Sequence, residues 1–270
     1  MERDRYADMK IGFIGTGNMG YALIQAAMNG EDNDILVYDK DEKKAKSIAS
    51  HTGATFADAR TIASECDYVF LGVKPNIVPA VIGEIEDYIG KDTTLVSMAA
   101  GVKIDSIEKM INKDGVAIIR IMPNLAVSIG SGTVLWCTNA AASNKAEAFV
   151  EAMGAAGEFA RIEESRMDAG SAISGCGPAF AYMFIDAMAD GGVACGLTRE
   201  AALEYAAQVL IGAARMVQET GRHPAELKDE VCSPGGSTIA GVLALEDGAF
   251  RATVSGAVKA SYKKTRELGK

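Results

Sequence analysis

A glycine-rich segment at residues 11–20 constrains the fold of this 270-residue chain more than any other feature. It reads G-x-G-x-x-G at Gly15, Gly17 and Gly20, directly between a short apolar run and a stretch of helical periodicity. Gly15 would permit a tight turn, Gly17 would let the backbone approach a pyrophosphate, and Gly20 would let helix and strand pack closely. The helix N-terminus would then face the phosphate charge. In this context the motif predicts a dinucleotide site, and the alternative is a close-packed turn that binds nothing.

The chain up to about residue 164 alternates short β-branched runs with helical patterns. Such alternation is typical of parallel βαβ units. Strands are predicted at residues 10–14, 35–38, 68–73, 94–98, 117–122 and 133–137. The fold class is therefore α/β, with an N-terminal Rossmann-type doubly wound sheet that binds ligands at the carboxyl ends of its strands.

The rest of the chain loses the strand pattern and becomes rich in alanine with helical periodicity. Helices are predicted at residues 178–195, 198–220, 238–246 and 250–270. Pro178 suits a first helical turn, Thr198 an N-cap and Gly221 a C-terminal stop. We therefore expect two domains: 1–164, which binds the dinucleotide, and 165–270, an all-helical domain for substrate binding and dimerisation.

The pair Gly191-Gly192 lies within one of these alanine-rich stretches, where each glycine costs about 1 kcal/mol relative to alanine. Two interpretations stay open: a close contact between helices across a subunit interface, or a simple helix break. A helical region of this length has too little neighbouring chain to cover both of its faces. A homo-oligomer is therefore expected.

Charge and composition exclude several classes of partner. The net charge is −9 with no run of Lys or Arg, which argues against nucleic acid and anionic membrane surfaces. The five cysteines form no C-x-x-C pair and only two histidines accompany them, so neither a disulfide framework nor a metal site is expected. Residues 1–10 are charged, and no apolar run reaches the roughly 20 residues of a membrane span. We expect a soluble, cytoplasmic protein.

Asp39 ends the second predicted strand, 19 residues beyond Gly20. A carboxylate there accepts hydrogen bonds from the adenosine ribose and repels a 2′-phosphate, which favours NADH. Lys40, Lys43 and Lys44 follow at once and would neutralise such a phosphate, so NADPH stays the competing cofactor. A further alternative is that Asp39 only caps the next helix.

Two other predicted strands end in residues suited to a ligand. Small residues let a ring or a ribose approach the backbone, while Pro75 would stiffen its turn and Lys74 would project a cation into the crevice. The alternative for Lys74 is a solvated surface lysine. The candidate residues at these two strand ends are Gly72, Val73, Lys74 and Pro75, and Met98, Ala99 and Ala100.

Residues 232–238 separate two helical runs and open the second one. A proline and two glycines expose successive backbone N–H groups there, and Ser233, Ser237 and Thr238 add hydroxyls at a helix N-terminus. Such a terminus favours an anion by typically about 0.3–1 kcal/mol. The segment predicts a carboxylate site that includes Gly236, and the alternative is an elaborate loop with an N-cap.

Here the chain resembles the pyrroline-5-carboxylate reductase family. The longest similar stretch is 223–239, followed by Val242, Leu245 and Glu246. Further similar stretches are residues 13–20, 73–75, 99–102, 120–124 and 174–179. The resemblance spans about residues 9 to 268.

The resemblance implies reduction of 1-pyrroline-5-carboxylate to L-proline with NADPH or NADH. It also implies a homodimer with interlocked helical domains, and a decamer as the larger assembly. Carried over by position, Ser237 and Thr238 contact the substrate, with Glu163 or Glu164 near it. The positions similar to the cofactor contacts of the family are Ile14, Gly15, Thr16, Gly17, Asn18, Met19, Gly72, Val73, Lys74, Pro75, Met98, Ala99 and Ala100.

Three positions depart from the pattern of that family. Many members carry a Ser/Thr-Pro-rich turn suited to NADPH where this chain has Asp39-Lys40-Asp41, which leaves the cofactor preference open. Ala59 stands where some relatives have an asparagine near the adenosine, and Glu230 stands where others have an uncharged residue. Neither of the last two changes touches the expected chemistry.

A protonated imine accepts hydride readily, so the protein must mainly hold and orient its substrate. We expect the segment 233–238 to grip the carboxylate and the Thr238 hydroxyl to hydrogen-bond the ring nitrogen, with Lys74 as the second candidate catalytic group. A β-hydroxyacid dehydrogenase is the enzymatic rival, but residues 177–183 lack the lysine that it would need. The remaining alternatives are a reductase of a related cyclic imine acid and a non-catalytic dinucleotide sensor.

Overall fold

The computed structural model describes residues 9–30 and 33–268. Residues 1–8, which make up most of the charged segment 1–10, lie outside the described residues. The chain divides into two compact units. The first contains the described residues up to Gly175 together with the chain from Tyr262 onward, and the second contains Cys176–Ser261.

The first unit is built on an eight-stranded sheet with the order β3-β2-β1-β4-β5-β6-β7-β8. The strands are β1 (Lys10–Ile14), β2 (Asp34–Tyr38), β3 (Thr55–Phe56), β4 (Tyr68–Leu71), β5 (Thr94–Ser97), β6 (Ala117–Met122), β7 (Gly132–Thr138) and β8 (Gly157–Arg161). The first six strands pair in parallel, so their carboxyl ends lie at one edge of the sheet. This is the edge at which such sheets bind ligands.

Helices and their side chains cover the sheet of the first unit. The helices are α1 (Asn18–Met28), α2 (Glu42–Thr52), α3 (Ala59–Glu65), α4 (Val78–Ile85), α5 (Ile104–Met110), α6 (Ala146–Ala152) and α7 (Met167–Ser174). Buried side chains form two clusters, one with Phe13 and Leu23 and the other with Leu71 and Ile82. The Phe13 and Phe70 rings stack at 4.4 Å between centroids. Each such side chain contributes about 1.5–3 kcal/mol when it is fully buried, which makes this sheet the stable part of the unit.

All six predicted strands are present, and two more extend the sheet at its edges. β3 has two residues and β8 is half exposed, so neither gives a clear apolar pattern in the sequence. The expectation of a parallel arrangement was wrong for β7, which pairs antiparallel to β6. Only residues 123–131 connect these two strands, and a parallel pair would need a crossover of about a dozen residues or more.

The second unit is helical. Its helices are α8 (Gly177–Ala194), α9 (Arg199–Thr220), α10 (Pro224–Glu230), α11 (Ser237–Asp247) and most of α12 (Phe250–Leu268). The predicted helix ends are confirmed. Pro178 lies in the first turn of α8, the Thr198 hydroxyl accepts the Ala201 N–H at 3.3 Å, and Gly221 ends α9 with φ of 64°.

The helix α8 runs without a break through Gly191 and Gly192. The interpretation of this pair as a helix break was therefore wrong. A Cβ added to Gly192 would lie 3.1 Å from the Ala202 Cβ of α9, so this glycine allows a close contact between two helices of the same chain. A Cβ added to Gly191 would meet nothing within 4 Å. The subunit-interface interpretation of Gly191 stays a prediction.

The first compact unit extends beyond the domain boundary predicted at residue 164. The reason is α7, which packs on β7: a Cβ added to Gly170 would lie 2.4 Å from the Leu135 Cδ1. Met167, at the start of α7, is fully buried in the core of the first unit. The division into 1–164 and 165–270 remains a prediction about function.

Within the described residues, one helical stretch, Glu164–Ala194, is long and apolar enough to cross a membrane, with a mean hydropathy of 1.2 over its most apolar window. The sequence predicted no apolar run of this length, because Asp186, Asp190 and the glycine pair interrupt it. A single stretch of this kind is weak evidence, because core helices of soluble proteins pass the same test. Only 11% of the window is buried within the chain, so most of it is open to solvent in one copy.

Candidate functional site

The glycine-rich turn between β1 and α1 is closely packed at two of its three glycines. Gly15 has φ of +105°, and a Cβ there would lie 2.5 Å from the Gly72 carbonyl oxygen. A Cβ on Gly20 would lie 2.4 Å from the Gly15 carbonyl oxygen. These contacts agree with a tight turn and a close helix–strand approach. Gly17 has nothing within 4 Å of an added Cβ, so its predicted approach to a pyrophosphate stays a prediction.

The N-terminus of α1 has free donors. Gly17 is its N-cap and no side chain caps it, while Asn18 and Met19 open the helix. The first backbone N–H groups of a helix need partners from outside it, and phosphate oxygens suit them. The residues present therefore fit the pyrophosphate of a dinucleotide.

Asp39 holds the glycine-rich turn from the end of β2. Its Oδ2 accepts hydrogen bonds from the Thr16 N–H at 2.8 Å and from the Thr16 hydroxyl at 2.9 Å. Its Oδ1 accepts the Asp41 N–H at 3.1 Å. The N-cap of α2 is Asp41, which accepts the Lys44 N–H. The alternative in which Asp39 caps that helix was therefore wrong.

The ionisation of Asp39 follows from these contacts. Burial works to raise the pKa of Asp39, but the hydrogen bonds from Thr16 and Asp41 outweigh it, and Lys44 adds a favourable charge. The pKa of the carboxyl is therefore below its ordinary value. The side chain is an anion at the pH of a cell, and Oδ1 keeps acceptor capacity beyond its one hydrogen bond.

The other predicted cofactor residues lie at the same edge of the sheet. Gly72 and Lys74 follow β4, and Lys74 is exposed at the start of a 3-10 turn, Pro75–Ile77. Met98 and the exposed Ala100 follow β5. Because β1, β4 and β5 are parallel neighbours, these segments lie side by side with the glycine-rich turn along one edge of the sheet. The further predicted residues at this edge are Ile14, Val73 and Ala99.

Glu164 belongs to a buried ion-pair network in the first unit. Its Oε1 accepts the Arg120 Nη1 at 3.0 Å and the Ile104 N–H at 2.8 Å. Arg120 is 2% exposed, and its Nη2 lies 3.9 Å from the Asp168 Oδ1. Glu164 therefore anchors the start of α5, and a substrate contact would have to use its other carboxylate oxygen.

Sequence reasoning missed the structural role of Arg120. This arginine is the one charged residue of β6, whose six residues are all buried. A buried charge requires a partner, so its position inside an apolar strand was a signal for a carboxylate nearby. Burial raises the pKa of the nearby Cys137 thiol to about 11, and the negative charge of Glu164 adds to the rise while Arg120 opposes it.

The segment 232–238, hereafter called the substrate loop after its predicted role, lies in the second unit before α11. Gly235 has φ of 71°, and a Cβ on Gly236 would lie 2.4 Å from the Ser233 Oγ. The positive φ favours glycine at position 235, whereas the close contact at Gly236 is with a serine side chain that can rotate. The loop is closed by the Gly236 N–H, which donates to the Ser233 carbonyl at 3.0 Å.

The N-terminus of α11 faces outward without a cap. Gly236 is its N-cap, and no side chain accepts from its first N–H groups. Ser233, Ser237 and Thr238 are exposed, and within the described residues their hydroxyls have no hydrogen-bond partner. A helix of 11 residues with free N–H groups and three free hydroxyls offers donors to an anion.

These features define a class: a dinucleotide-binding protein with a Rossmann-type unit and a helical unit that presents an anion-binding loop. Two family models match the chain. One describes the dimerisation domain of pyrroline-5-carboxylate reductase, at residues 164–268, and the other describes a coenzyme F420-dependent NADP oxidoreductase, at residues 10–101.

Individual proteins match the chain over almost its whole length. The pyrroline-5-carboxylate reductase of Arabidopsis thaliana is 38% identical over 96% of this chain and 95% of its own. The Escherichia coli enzyme of the same name is 38% identical over 97% and 99%. The crystal structure of a Plasmodium falciparum pyrroline carboxylate reductase with NADP bound has a TM-score of 0.86 at 31% identity, covering 97% of this chain and 98% of that one. The chain belongs to the pyrroline-5-carboxylate reductase family.

Proposed function

We propose that this protein reduces the C=N bond of 1-pyrroline-5-carboxylate to give L-proline, with NADPH or NADH as the hydride donor. The observation that carries the proposal is the uncapped N-terminus of α11, with its exposed Ser233, Ser237 and Thr238 hydroxyls. It offers donors to a carboxylate in a chain whose relatives bear the name of this reductase.

The substrate loop holds the substrate in this proposal. The free N–H groups of α11 and the Ser233 and Ser237 hydroxyls bind the carboxylate, with the Gly236 backbone close to it. The Thr238 hydroxyl hydrogen-bonds the ring nitrogen and orients the imine carbon. Glu164 stays a second candidate for a substrate contact through its other oxygen.

The reaction needs little acid–base chemistry from the protein. When bound, the nicotinamide supplies a hydride to the carbon of the protonated imine, whose π electrons pass to nitrogen and leave a secondary amine. Lys74 lies exposed at the crevice edge, where its positive charge attracts an anionic substrate or cofactor. The proton on the imine nitrogen arrives with the substrate or through water.

Asp39 favours NADH in this proposal, because the acceptor capacity of its Oδ1 suits a ribose hydroxyl. A 2′-phosphate would meet the same negative charge. NADPH remains the competing cofactor, because the positive charge of Lys44 acts on Asp39 and the related Plasmodium falciparum structure contains NADP.

We further propose a homodimer in the cytoplasm, with a decamer as the larger assembly. The support is the set of large apolar side chains that one copy leaves exposed on its second unit. They include Tyr182, Met183, Tyr205, Val209, Ile211, Met216 and Leu243. Apolar surface on this scale is typical of an interface.

The test is the loss of nicotinamide absorbance with purified protein and 1-pyrroline-5-carboxylate, run in parallel with NADH and NADPH. The proposal expects turnover with at least one cofactor, and a larger kcat/KM with NADH if Asp39 acts as described. A six-membered imine acid is the matched comparison, since one methylene changes specificity only about 10- to 200-fold. Cofactor binding without turnover of either imine would support a dinucleotide sensor instead.

A further inference from the structure

A charged cluster directly precedes the substrate loop. The Arg222 guanidinium donates to the Glu226 Oε1, at 3.2 Å from Nε and 2.9 Å from Nη2. It also donates to both carboxylate oxygens of Glu230, at 3.1 Å from Nη1 and more closely from Nη2. One arginine therefore bridges two carboxylates along the whole length of α10.

Glu230 occupies an unfavourable place in α10. It is the last residue of this seven-residue helix, where the partial negative charge of the helix C-terminus opposes a carboxylate. It also precedes Ser233 by three residues, so the two Cα atoms are at most about 11 Å apart. An unpaired charge on a residue so close in sequence to the substrate loop would repel an anionic substrate, most strongly at low ionic strength.

The guanidinium places a positive charge directly against the Glu230 carboxylate, and it shares that charge with Glu226. A bidentate pair between arginine and a carboxylate is the strongest kind of charge-assisted hydrogen bond. Consistent with this geometry, the hydrogen bonds from Arg222 lower the pKa of Glu230. They also link Arg222, which lies two residues before α10, to the last turn of that helix, and a helix of seven residues has little stability of its own.

We propose that Arg222 is a positioning residue that masks the charge of Glu230, so that the substrate loop can accept a carboxylate. This inference rests on the proposed function. Arg222 does not touch the substrate; it acts through Glu230. Its effect therefore falls on the KM of the anionic substrate, with kcat left almost unchanged.

The test is a double-mutant cycle in the full-length protein. It compares Arg222→Gln, Glu230→Gln and the double variant with the wild type. Arg199→Gln serves as the matched control, since Arg199 forms an exposed ion pair with Asp190 at 2.6 Å in the same unit. The readouts are KM and kcat for the imine at low and high ionic strength, together with the Kd of L-proline by calorimetry.

If Arg222 masks the charge of Glu230, Arg222→Gln should raise the KM for the imine and the Kd of L-proline about two- to fivefold at low ionic strength. High salt should remove this effect. The double variant should return both values to within about twofold of the wild type, because the repelling charge is gone. An unchanged KM and Kd in Arg222→Gln, or a double variant as weak as Arg222→Gln, would overturn the proposal. Turnover by the wild type tests the reductase separately, since the proposal about Arg222 depends only on ratios to the wild type.

Discussion

Two glycine-rich loops, each at the N-terminus of a helix, differ in how strongly contacts within their own unit hold them in place. In the first unit the turn at 15–20 is packed against Gly72 and hydrogen-bonded by Asp39, with Thr16 only 1% exposed. In the second unit the substrate loop has one internal backbone hydrogen bond and exposed hydroxyls. Both loops present free backbone donors, but only the first is held in place by contacts with the sheet.

The difference indicates where each loop obtains its binding energy. A preorganised loop loses little conformational freedom when a ligand binds, so its contacts go directly into affinity. The Ser233, Ser237 and Thr238 hydroxyls have no partner within the described chain, so they gain hydrogen bonds only when a ligand or a neighbouring chain supplies acceptors. Changes at the packed positions of the first unit should therefore affect stability, while removal of the free hydroxyls of the substrate loop should affect activity alone.

The largest effect is expected from Arg120→Ala. The change leaves Glu164 and Asp168 without their cation in a partly buried place, which typically costs about 3–5 kcal/mol of unfolding free energy. Denaturant unfolding measures it. Arg199→Ala, which removes an exposed ion pair, is the control and should cost less than about 1 kcal/mol. Equal losses for the two variants would remove the contrast between the units.

The second-largest effect is expected from Gly15→Ala, which should lower the unfolding free energy by about 2–4 kcal/mol. The added Cβ would clash with the Gly72 carbonyl, and alanine is strained at the positive φ of this position. Gly17→Ala is the matched variant in the same turn, where an added Cβ meets open space. This variant should keep almost the same melting temperature as the wild type, but it should bind the cofactor more weakly. A destabilised Gly17→Ala protein would contradict the packing described for this turn.

Thr238→Ala should lose a hydrogen bond worth about 1.5–3 kcal/mol, which is about 10- to 100-fold in kcat/KM. Steady-state kinetics with 1-pyrroline-5-carboxylate measures this loss. Thr238→Ser keeps the hydroxyl and should recover most of the activity. The melting temperature of both variants should match the wild type, since the hydroxyl has no partner within the described chain. Full activity in Thr238→Ala would refute its role.

The smallest effect concerns Asp39 and pH. Since its folded pKa is below the ordinary value, its ionised form stabilises the fold above the unfolded pKa of about 3.9. That contribution is lost as the pH falls through the folded pKa. The stability advantage of the wild type over Asp39→Asn should therefore shrink between about pH 5 and pH 3. An advantage that grows on acidification would have the wrong sign.

The sequence predicted most of the first unit because its signals are local. The glycine spacing at residues 15–20 and the buried β-branched runs fix a parallel sheet and its ligand edge without long-range information. The antiparallel direction of β7 follows from the short connection before it, which its own residue pattern does not show. The strand β8 lies at the edge of the sheet, where the sequence has no periodic pattern that predicts it.

The predicted site was less complete, because contacts between distant residues leave no mark on local spacing. Asp39 was correctly placed at the end of β2, but its hydrogen bonds to Thr16 join residues 23 apart in the chain. Glu164 was expected beside the substrate, and its pairing with Arg120 joins residues 44 apart. Glu230 was noticed as a departure from the family, but its partner Arg222 was not.

In this account the glycine-rich turn binds the cofactor and the substrate loop binds the substrate. The most direct test is to titrate NADH into Gly17→Ala and Thr238→Ala and to follow the nicotinamide fluorescence. The account predicts that Thr238→Ala binds NADH as the wild type does, while Gly17→Ala binds it at least about tenfold more weakly, a difference of about 1.4 kcal/mol. Equal NADH affinity in Gly17→Ala and the wild type, or a loss of affinity in Thr238→Ala that matches its loss of turnover, would contradict the account.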